Sequence, residues 1–538
     1  MAPRPALSPA LRRAPRTPLQ RKPVKAAARA LRSASFSSNG SWPGGRGSGR
    51  DGRPGGRPPG RPEGKVGVVA AAQGPKGASV PVRLAPGRFF GYNVHKIKTS
   101  VHRGGTAVGG KPAPVAVGLL GFGTVGSGVV RLIAEHAEEL EAELGQRLVV
   151  KRILVQDPAK ERPVKVPPEV LTTDPGVILD DPEIRIVVEV IGGLEPARTL
   201  VLEALRRGKH VVTANKDLMA LYGADLLAVA REHGADLYFE ASVGGGIPII
   251  RTLMDGFASD RITRIYGIIN GTTNYILTQM SRQGRSFDEA LREAQALGYA
   301  EADPSSDVDG LDAARKMVIL ATLGFHMPIA LDDVAVQGIR GLDRKDIAYA
   351  DEFGYTVKLL GTAIRDDGSV EIAVQPTLVP KDHPLANVSD AFNAVFVHGE
   401  AVGETMFYGQ GAGSLPTATA VMSDVVAVIK NMLLGVSGKR LGRPLRPKRL
   451  KTPAEIVGRY FFRLTVDDAP GVLAHIARTL SESDVSIERI VQVPDPAART
   501  ADILIITHAA TQAALDAALT RLRDLSALRA IHAVFRVL

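Results

Sequence analysis

The chain is predicted to be α/β: a doubly wound, Rossmann-type parallel sheet, then an α+β domain, then a small ferredoxin-like unit at the C-terminus. Three observations carry this. From Pro112 onward, strand-like apolar runs alternate with helical stretches, the pattern of right-handed βαβ units on a parallel sheet. A glycine turn, GFGTVG at Gly121–Gly126, joins the first apolar run to the first helical one. The last stretch, 456–538, reads strand, helix, strand, strand, helix, strand.

Residues 1–110 stand apart. They hold 21 Lys/Arg against only Asp51 and Glu63, a net of +19, which leaves −8 for the rest of a chain whose total is +11. The basic balance therefore belongs to the front end alone and argues for no nucleic-acid or membrane role in the rest of the chain. A segment so rich in Arg, Pro, Gly and Ser has too few apolar residues to offset its ordering entropy, so it is expected to be disordered. It reads as a plastid-type transit segment, as a basic nucleic-acid arm, or as translated sequence ahead of the true start. The third reading is favoured, because Arg103–Thr106 can be encoded by a ribosome-binding string with Val108 as the start.

PVAVGLLGFGTVGSGVVRLI is strand, turn and helix, and RLVVKRILVQD is a second strand. IRIVVEVIGG, KHVVTANKD and ADLYFEASVGG continue the strand-plus-turn units, with LEPARTLVLEALRRG as an intervening helix. Together they bound a nucleotide-binding domain at 111–245. Long helices mixed with strands such as RITRIYGIIN and VEIAVQPTLV fill 246–436, and a basic, proline-bearing linker occupies 437–455. No apolar run approaches the ~18 residues a membrane span needs. With no cysteine, disulfides, thiolate metal sites and cysteine nucleophiles are excluded. The histidines lack spacings such as H-E-x-x-H.

In GFGTVG, Gly121 and Gly123 permit a tight turn and close backbone approach to a pyrophosphate. Gly126 lets the helix pack on the sheet, and the helix N-terminus favours phosphate. Phe122, Thr124 and Val125 complete this cofactor loop. After the second strand, Asp157 suits a ribose 2′-hydroxyl, which favours NAD, whereas Lys160 and Arg162 suit the 2′-phosphate of NADP. The preference stays open. TANK (Thr213–Lys216) follows a strand at the carboxyl end, where open sheets bind ligands; read alone, Lys216 is a surface lysine at a helix start. GYAEADPSSDVDGLDAARK (Gly298–Lys316) packs Glu301, Asp303, Asp307, Asp309 and Asp312 ahead of Lys316. Asp307 or Asp309 is the expected N-cap. Asp312 and Lys316 are i and i+4 and leave one helix face, either as a solvated ion pair or as groups that grip an ammonium and move a proton. FEASVGGGIPI places Glu240 before a glycine run, as a hinge or as a source of hard oxygen ligands.

GFGTVG, TANK, FEASVGGG, INGTTNYIL, GYAEADP and GAGSLPTATAVMSDV occur in the order found in homoserine dehydrogenases, and the chain resembles that family over about Pro114–Ile429. The resemblance implies NAD(P)-dependent interconversion of aspartate semialdehyde and homoserine. It implies Lys316, Lys216 and Asp312 as catalytic residues, Lys316 as proton donor with Lys216 assisting, and Asp312, Glu301 and Asp307 holding substrate. Gly298, Gly411 and Gly413 join the cofactor site, and a sodium ion (Na+) is implied on Glu240 and the carbonyls of Val243, Gly245 and Ile247. Many relatives carry Arg where this chain has Gln156, which leaves NADP preference open here. In the last unit D-x-x-G-V-L (Asp468–Leu473) resembles an ACT domain, an amino-acid-binding regulatory module, with threonine the effector the family implies; the alternative is a dimerisation-only domain. The linker composition predicts that this unit can be cut away. A cytoplasmic homodimer or homotetramer is expected, in a plastid if the front segment is a transit segment, with no nucleic-acid or membrane partner.

Overall fold

The computed structural model of the protein describes residues 82–84, 88–90, 112–439 and 445–538. The expected disorder of 1–110 falls outside these residues, except for a short antiparallel hairpin of β1 (Val82–Leu84) and β2 (Arg88–Phe90).

The nucleotide domain begins at β3 (Val115–Leu120), every residue of which is buried, as a central parallel strand covered on both faces requires. It continues through α1 (Thr124–Glu135), α2 (Ala137–Leu144), β4 (Leu148–Leu154), β5 (Leu171–Thr172), α3 (Gly176–Leu179) and β6 (Ile184–Glu189). It closes with α4 (Ala197–Arg206), β7 (His210–Thr213), α5 (Lys216–Glu232) and β8 (Leu237–Tyr238). The sheet runs β5-β4-β3-β6-β7-β8, all parallel. Strand order reverses between β3 and β6, so the crevice at their carboxyl ends is the switch point where such sheets bind ligands.

The second domain comprises β9 (Ile262–Ile268), α6 (Gly271–Gln283), α7 (Phe287–Ala296), α8 (Ser305–Val308), α9 (Leu311–Phe325), β10 (Ala335–Val336) and α10 (Arg344–Glu352). The long strands β11 (Tyr355–Asp366), β12 (Ser369–Pro380), β13 (Phe392–Gly399) and β14 (Gly403–Gln410) complete its sheet, with α9 packed across β9, β11 and β12. The chain then returns through α11 (Ser414–Leu434) to lie along α1. A methyl group on Gly128 would sit 2.7 Å from the Ser414 carbonyl, so a glycine is what lets these two helices touch. Sequence reading found no span-length apolar run, yet α11 is long and apolar enough to cross a membrane; half of its most apolar window is buried inside the protein. Its Ala418, Val421 and Val425 belong to the core beneath Val129.

The C-terminal unit contains β15 (Val457–Asp467), α12 (Val472–Glu482), β16 (Ile487–Asp495), β17 (Thr500–Thr507), β18 (Ala510–Thr511), α13 (Gln512–Arg523) and β19 (Leu528–Val537). It is not set apart as the linker suggests. Strand β19 pairs with β12, Thr377 opposite Arg536 and Leu378 opposite Val537, so one mixed sheet of eleven strands runs through both domains. The reason lies in the strand period. Phe462 and Leu464 on β15 face α12 and α13, which turns Phe461 to the other face. There Phe461, Leu504, Ile506 and Phe535 join the core of the second domain. Arg463, on that face too, donates to Asp346 of α10 at 2.5 and 3.2 Å and to Asp343 at 3.1 Å.

Candidate active site

The phosphate turn is built as its glycines require. Gly121 has φ +106°, and a Cβ there would meet the Val190 carbonyl at 2.8 Å. A Cβ on Gly126 would meet the Gly121 carbonyl at 2.4 Å, whereas one on Gly123 would meet nothing within 4 Å. Gly123, at the N-cap of α1, thus leaves the helix N-terminus open, and no acid in the first turn competes for an anion there. Phe122 is buried beneath the turn; Thr124 and Val125 open the helix, and the Ser414 hydroxyl donates to the Thr124 carbonyl at 2.7 Å. Opposite, a Cβ on Gly245 would be 2.6 Å from the Gly411 carbonyl carbon, and Gly413 has φ +123°. Gly298 also has positive φ, with open space around it.

Two helix starts meet beside this crevice. Asn215 caps α5 by accepting the Leu218 N–H at 3.1 Å, which makes Lys216 its first residue just beyond β7. Helix α9 begins after Gly310, whose φ of +84° ends the preceding turn. Neither Asp307 nor Asp309 caps it, contrary to expectation. Asp309 instead pairs with Arg340 at 2.8 Å. Asp307 turns inward, accepting from Asn270 Nδ2 at 2.7 Å and the Thr272 hydroxyl at 3.0 Å.

Asp312 lies at the centre, 7% exposed. Its Oδ2 accepts from Lys316 Nζ at 2.6 Å and Asn270 Nδ2 at 2.9 Å, and Lys216 Nζ is 3.3 Å from Oδ1. Lys316 also donates to the Ile269 carbonyl at 2.7 Å. Burial alone would raise the Asp312 pKa, but the charges of Lys316 and Lys216 and the hydrogen bonds outweigh it and hold the carboxyl at about 2. Asp307 goes the other way: burial first, with the neighbouring Asp312 charge adding to it, pushes its pKa up. Of the expected residues, Lys216, Lys316, Asp312 and Asp307 are therefore brought together. Glu301 is not: it is exposed on the loop before α8, and only its backbone carbonyl is engaged, by Gln295.

Sequence reading missed three supporting groups. Asn270 ties Asp307 to Asp312 while capping α6 through the Thr273 N–H at 2.9 Å; an Asn immediately ahead of a helical run was the available signal. Thr272 lies in INGTTNYIL, where the local pattern gives a threonine no role. Glu189, fully buried at the end of β6, accepts from the Thr213 hydroxyl at 2.5 Å and from the Ile191 and Gly192 N–H groups, which fixes the turn facing the phosphate loop. Burial raises its pKa. Nothing in VVEVIGG distinguishes that acid from an edge residue.

Glu240 is 2% exposed and accepts the Ile250 and Arg251 N–H groups at 2.7 and 2.8 Å, with the Arg251 guanidinium at 3.6 Å. Gly244 and Gly245 both have positive φ, which turns the backbone sharply between Val243 and Ile247. Among the described residues no group of three or more His, Cys, Asp or Glu could hold a metal, so a cation here depends on backbone carbonyls beside the Glu240 carboxylate, whose own N–H donates to buried Asp424 at 2.7 Å.

Comparison with known proteins agrees with this geometry. Family models match in three stretches: "Homoserine dehydrogenase, NAD binding domain" at 121–240, "Homoserine dehydrogenase" at 248–426, and "ACT domain" at 460–527. A homoserine dehydrogenase of Bacillus subtilis (strain 168) is 52% identical over 424 residues, covering 79% of this chain and 98% of that protein. One from Synechocystis is 45% identical, covering 79% and 99%. The crystal structure of a homoserine dehydrogenase from Thiobacillus denitrificans superposes with a TM-score of 0.74 at 42% identity, covering 79% of this chain and 98% of that one. A hyperthermophilic archaeal homoserine dehydrogenase in complex with NADPH matches at 29% identity and TM-score 0.51, covering 62% of this chain and all of that one.

Proposed function

The chain belongs to the homoserine dehydrogenase family, and on that premise we propose how its residues carry the reaction. It is an NAD(P)-dependent oxidoreductase with an ACT domain, interconverting aspartate semialdehyde and homoserine. The observation that carries the mechanism is the buried Asp312 carboxylate held between two ammonium groups, Lys316 at 2.6 Å and Lys216 at 3.3 Å. When bound, the nicotinamide supplies or accepts the hydride at the substrate carbon. An ammonium has three N–H donors. Lys316 spends two of them on Asp312 and the Ile269 carbonyl, so its third N–H remains to protonate the alkoxide oxygen as the carbonyl is reduced. Asp312 is a positioning group here, since its oxygens are occupied by Lys316, Asn270 and Lys216. Lys216, one third exposed, adds positive charge where oxygen charge develops. The substrate ammonium falls to Asp307 of α8, and Glu301, exposed on the preceding loop, would have to turn inward to join it.

The cofactor residues are Gly121, Phe122, Gly123, Thr124, Val125 and Gly126, with Lys216, Gly298, Gly411 and Gly413 closing over them. A resident Na+ on Glu240 and the carbonyls of Val243, Gly245 and Ile247, as the family implies, would share the carboxylate with the Ile250 and Arg251 N–H groups and brace the loop between the two domains. Threonine as the ACT effector, a homodimer or homotetramer, and a cytoplasmic setting complete the reading. The outer edge of β14, with exposed Met406 and Tyr408, is an open sheet edge that a second copy would cover. Initial rates with homoserine and NADP or NAD, with and without threonine, test the whole. Lys316→Ala should lower kcat by about 10²- to 10⁴-fold with little change in cofactor binding. Near wild-type kcat with only a raised KM would make Lys316 a binding residue and refute the assignment.

A further inference from the structure

We propose that Arg162, reached by a curled loop rather than by the strand end itself, recognises the 2′-phosphate of NADP and makes NADP the preferred coenzyme. The proposal rests on the dehydrogenase reading and names which coenzyme the same site selects.

Strand β4 lies beside β3, and the Gly121 N–H donates to the Leu154 carbonyl at 3.0 Å. The segment after Leu154 therefore flanks the phosphate turn, on the side where the ribose of a dinucleotide lies. The strand end carries no cation: Val155 is buried, and Gln156 is neutral and exposed. Asp157, the candidate reader of a free 2′-hydroxyl, has Oδ1 turned back onto the Ala159 N–H at 2.8 Å.

The loop then doubles back. Arg162 donates from Nη2 to the Asp157 carbonyl at 2.6 Å and from Nη1 to the Lys160 carbonyl at 2.7 Å. Its guanidinium carbon lies 5.6 Å from the centre of the Phe122 ring, within the GFG turn. An ordinary surface arginine samples many rotamers. This one is half-buried, pinned by two backbone carbonyls and laid over an aromatic ring. Among the described residues, no carboxylate lies within ion-pair distance of it, so its charge is held at the phosphate turn without a neutralising partner. Of its five N–H groups, two go to the carbonyls. One on each Nη and the Nε–H remain, enough for a bidentate contact to a phosphate dianion. Lys160, exposed on the same turn, adds a second positive charge.

Calorimetric titration of the full chain with NADPH, NADH, 2′,5′-ADP and 5′-ADP tests this independently of turnover. The wild type should bind NADPH and 2′,5′-ADP at least about 10-fold more tightly than NADH and 5′-ADP. Arg162→Ala should weaken the two 2′-phosphorylated ligands about 10- to 100-fold, the loss expected for a charge-assisted pair, and leave the other two within about twofold. Arg162→Lys should fall between, because it keeps the charge and loses the fork. Circular dichroism melts of all three proteins should coincide, since the loop is outside the core. An unchanged NADPH-to-NADH ratio in Arg162→Ala, or a wild type that binds NADH as tightly as NADPH, would overturn the proposal while leaving the dehydrogenase reading intact. A chain that binds neither coenzyme would overturn both.

Discussion

Arg463→Ala should cost about as much stability as a large core deletion, although it removes one charged side chain. The guanidinium is 2% exposed and Asp346, its main partner, 3%. Asp343 is 44% exposed and caps α10 through the Lys345 N–H, and Asp502, 3.6 Å from the guanidinium, keeps the Thr465 hydroxyl and the Lys345 ammonium at 4.0 Å. Only Asp346 is therefore stranded as a buried charge. Breaking such a pair from one side costs ~3–5 kcal/mol, whereas replacing both partners with apolar groups of similar volume is often neutral. With an m-value of ~3–4 kcal/mol per M, the urea midpoint should fall by about 1 M. Arg463→Met combined with Asp346→Leu should recover most of it. Burial already raises the Asp346 pKa, against the pull of Arg463. Without the arginine it rises further, and a raised carboxyl favours the fold most where it is protonated. The deficit of the single variant should therefore be smallest at acid pH and grow as pH rises. Far-UV circular dichroism and residual activity should both be followed, because the only tryptophan, Trp42, lies outside the described residues. A single variant within about 1 kcal/mol of wild type, or a double variant no better than the single, would show that the network is not what joins the ACT domain to α10.

Asp312, held at about 2 against an ordinary value near 4, should contribute about 2 kcal/mol that is fully present above pH ~4 and lost as pH falls through ~2. Acid unfolding of wild type against Asp312→Asn should show the gap closing below pH ~3, and a constant gap would refute it. Lys358, buried against Asn274 and the Val388 carbonyl, is pushed down to about 8, chiefly by burial. The unfolded chain then holds the extra proton between pH ~8 and ~10.5, so stability should rise by ~3 kcal/mol across that window. Urea midpoints measured from pH ~8 upward should show that rise in wild type and lose it in Lys358→Met.

Local pattern made much of this molecule legible. The glycine turn, the buried β3 run and the i,i+4 spacing of Asp312 and Lys316 are short-range facts, and the structure places each where the sequence reading put it. What escaped was set by long-range contact. Asp309 and Asp307 both satisfy the local rule for an N-cap, but Arg340 draws away the first and Asn270, 37 residues earlier, the second. The linker is as polar as a hinge, yet connectivity does not decide whether two domains share a core. The alternating strands do: β15 carries Phe461 and Phe462 on opposite faces, and two helices cover only one of them. Any sheet with apolar residues on both faces and helices on one must find another layer. A count of inward and outward residues on β15, β17 and β19 would therefore have shown that the ACT domain of this chain packs a second apolar face on another layer.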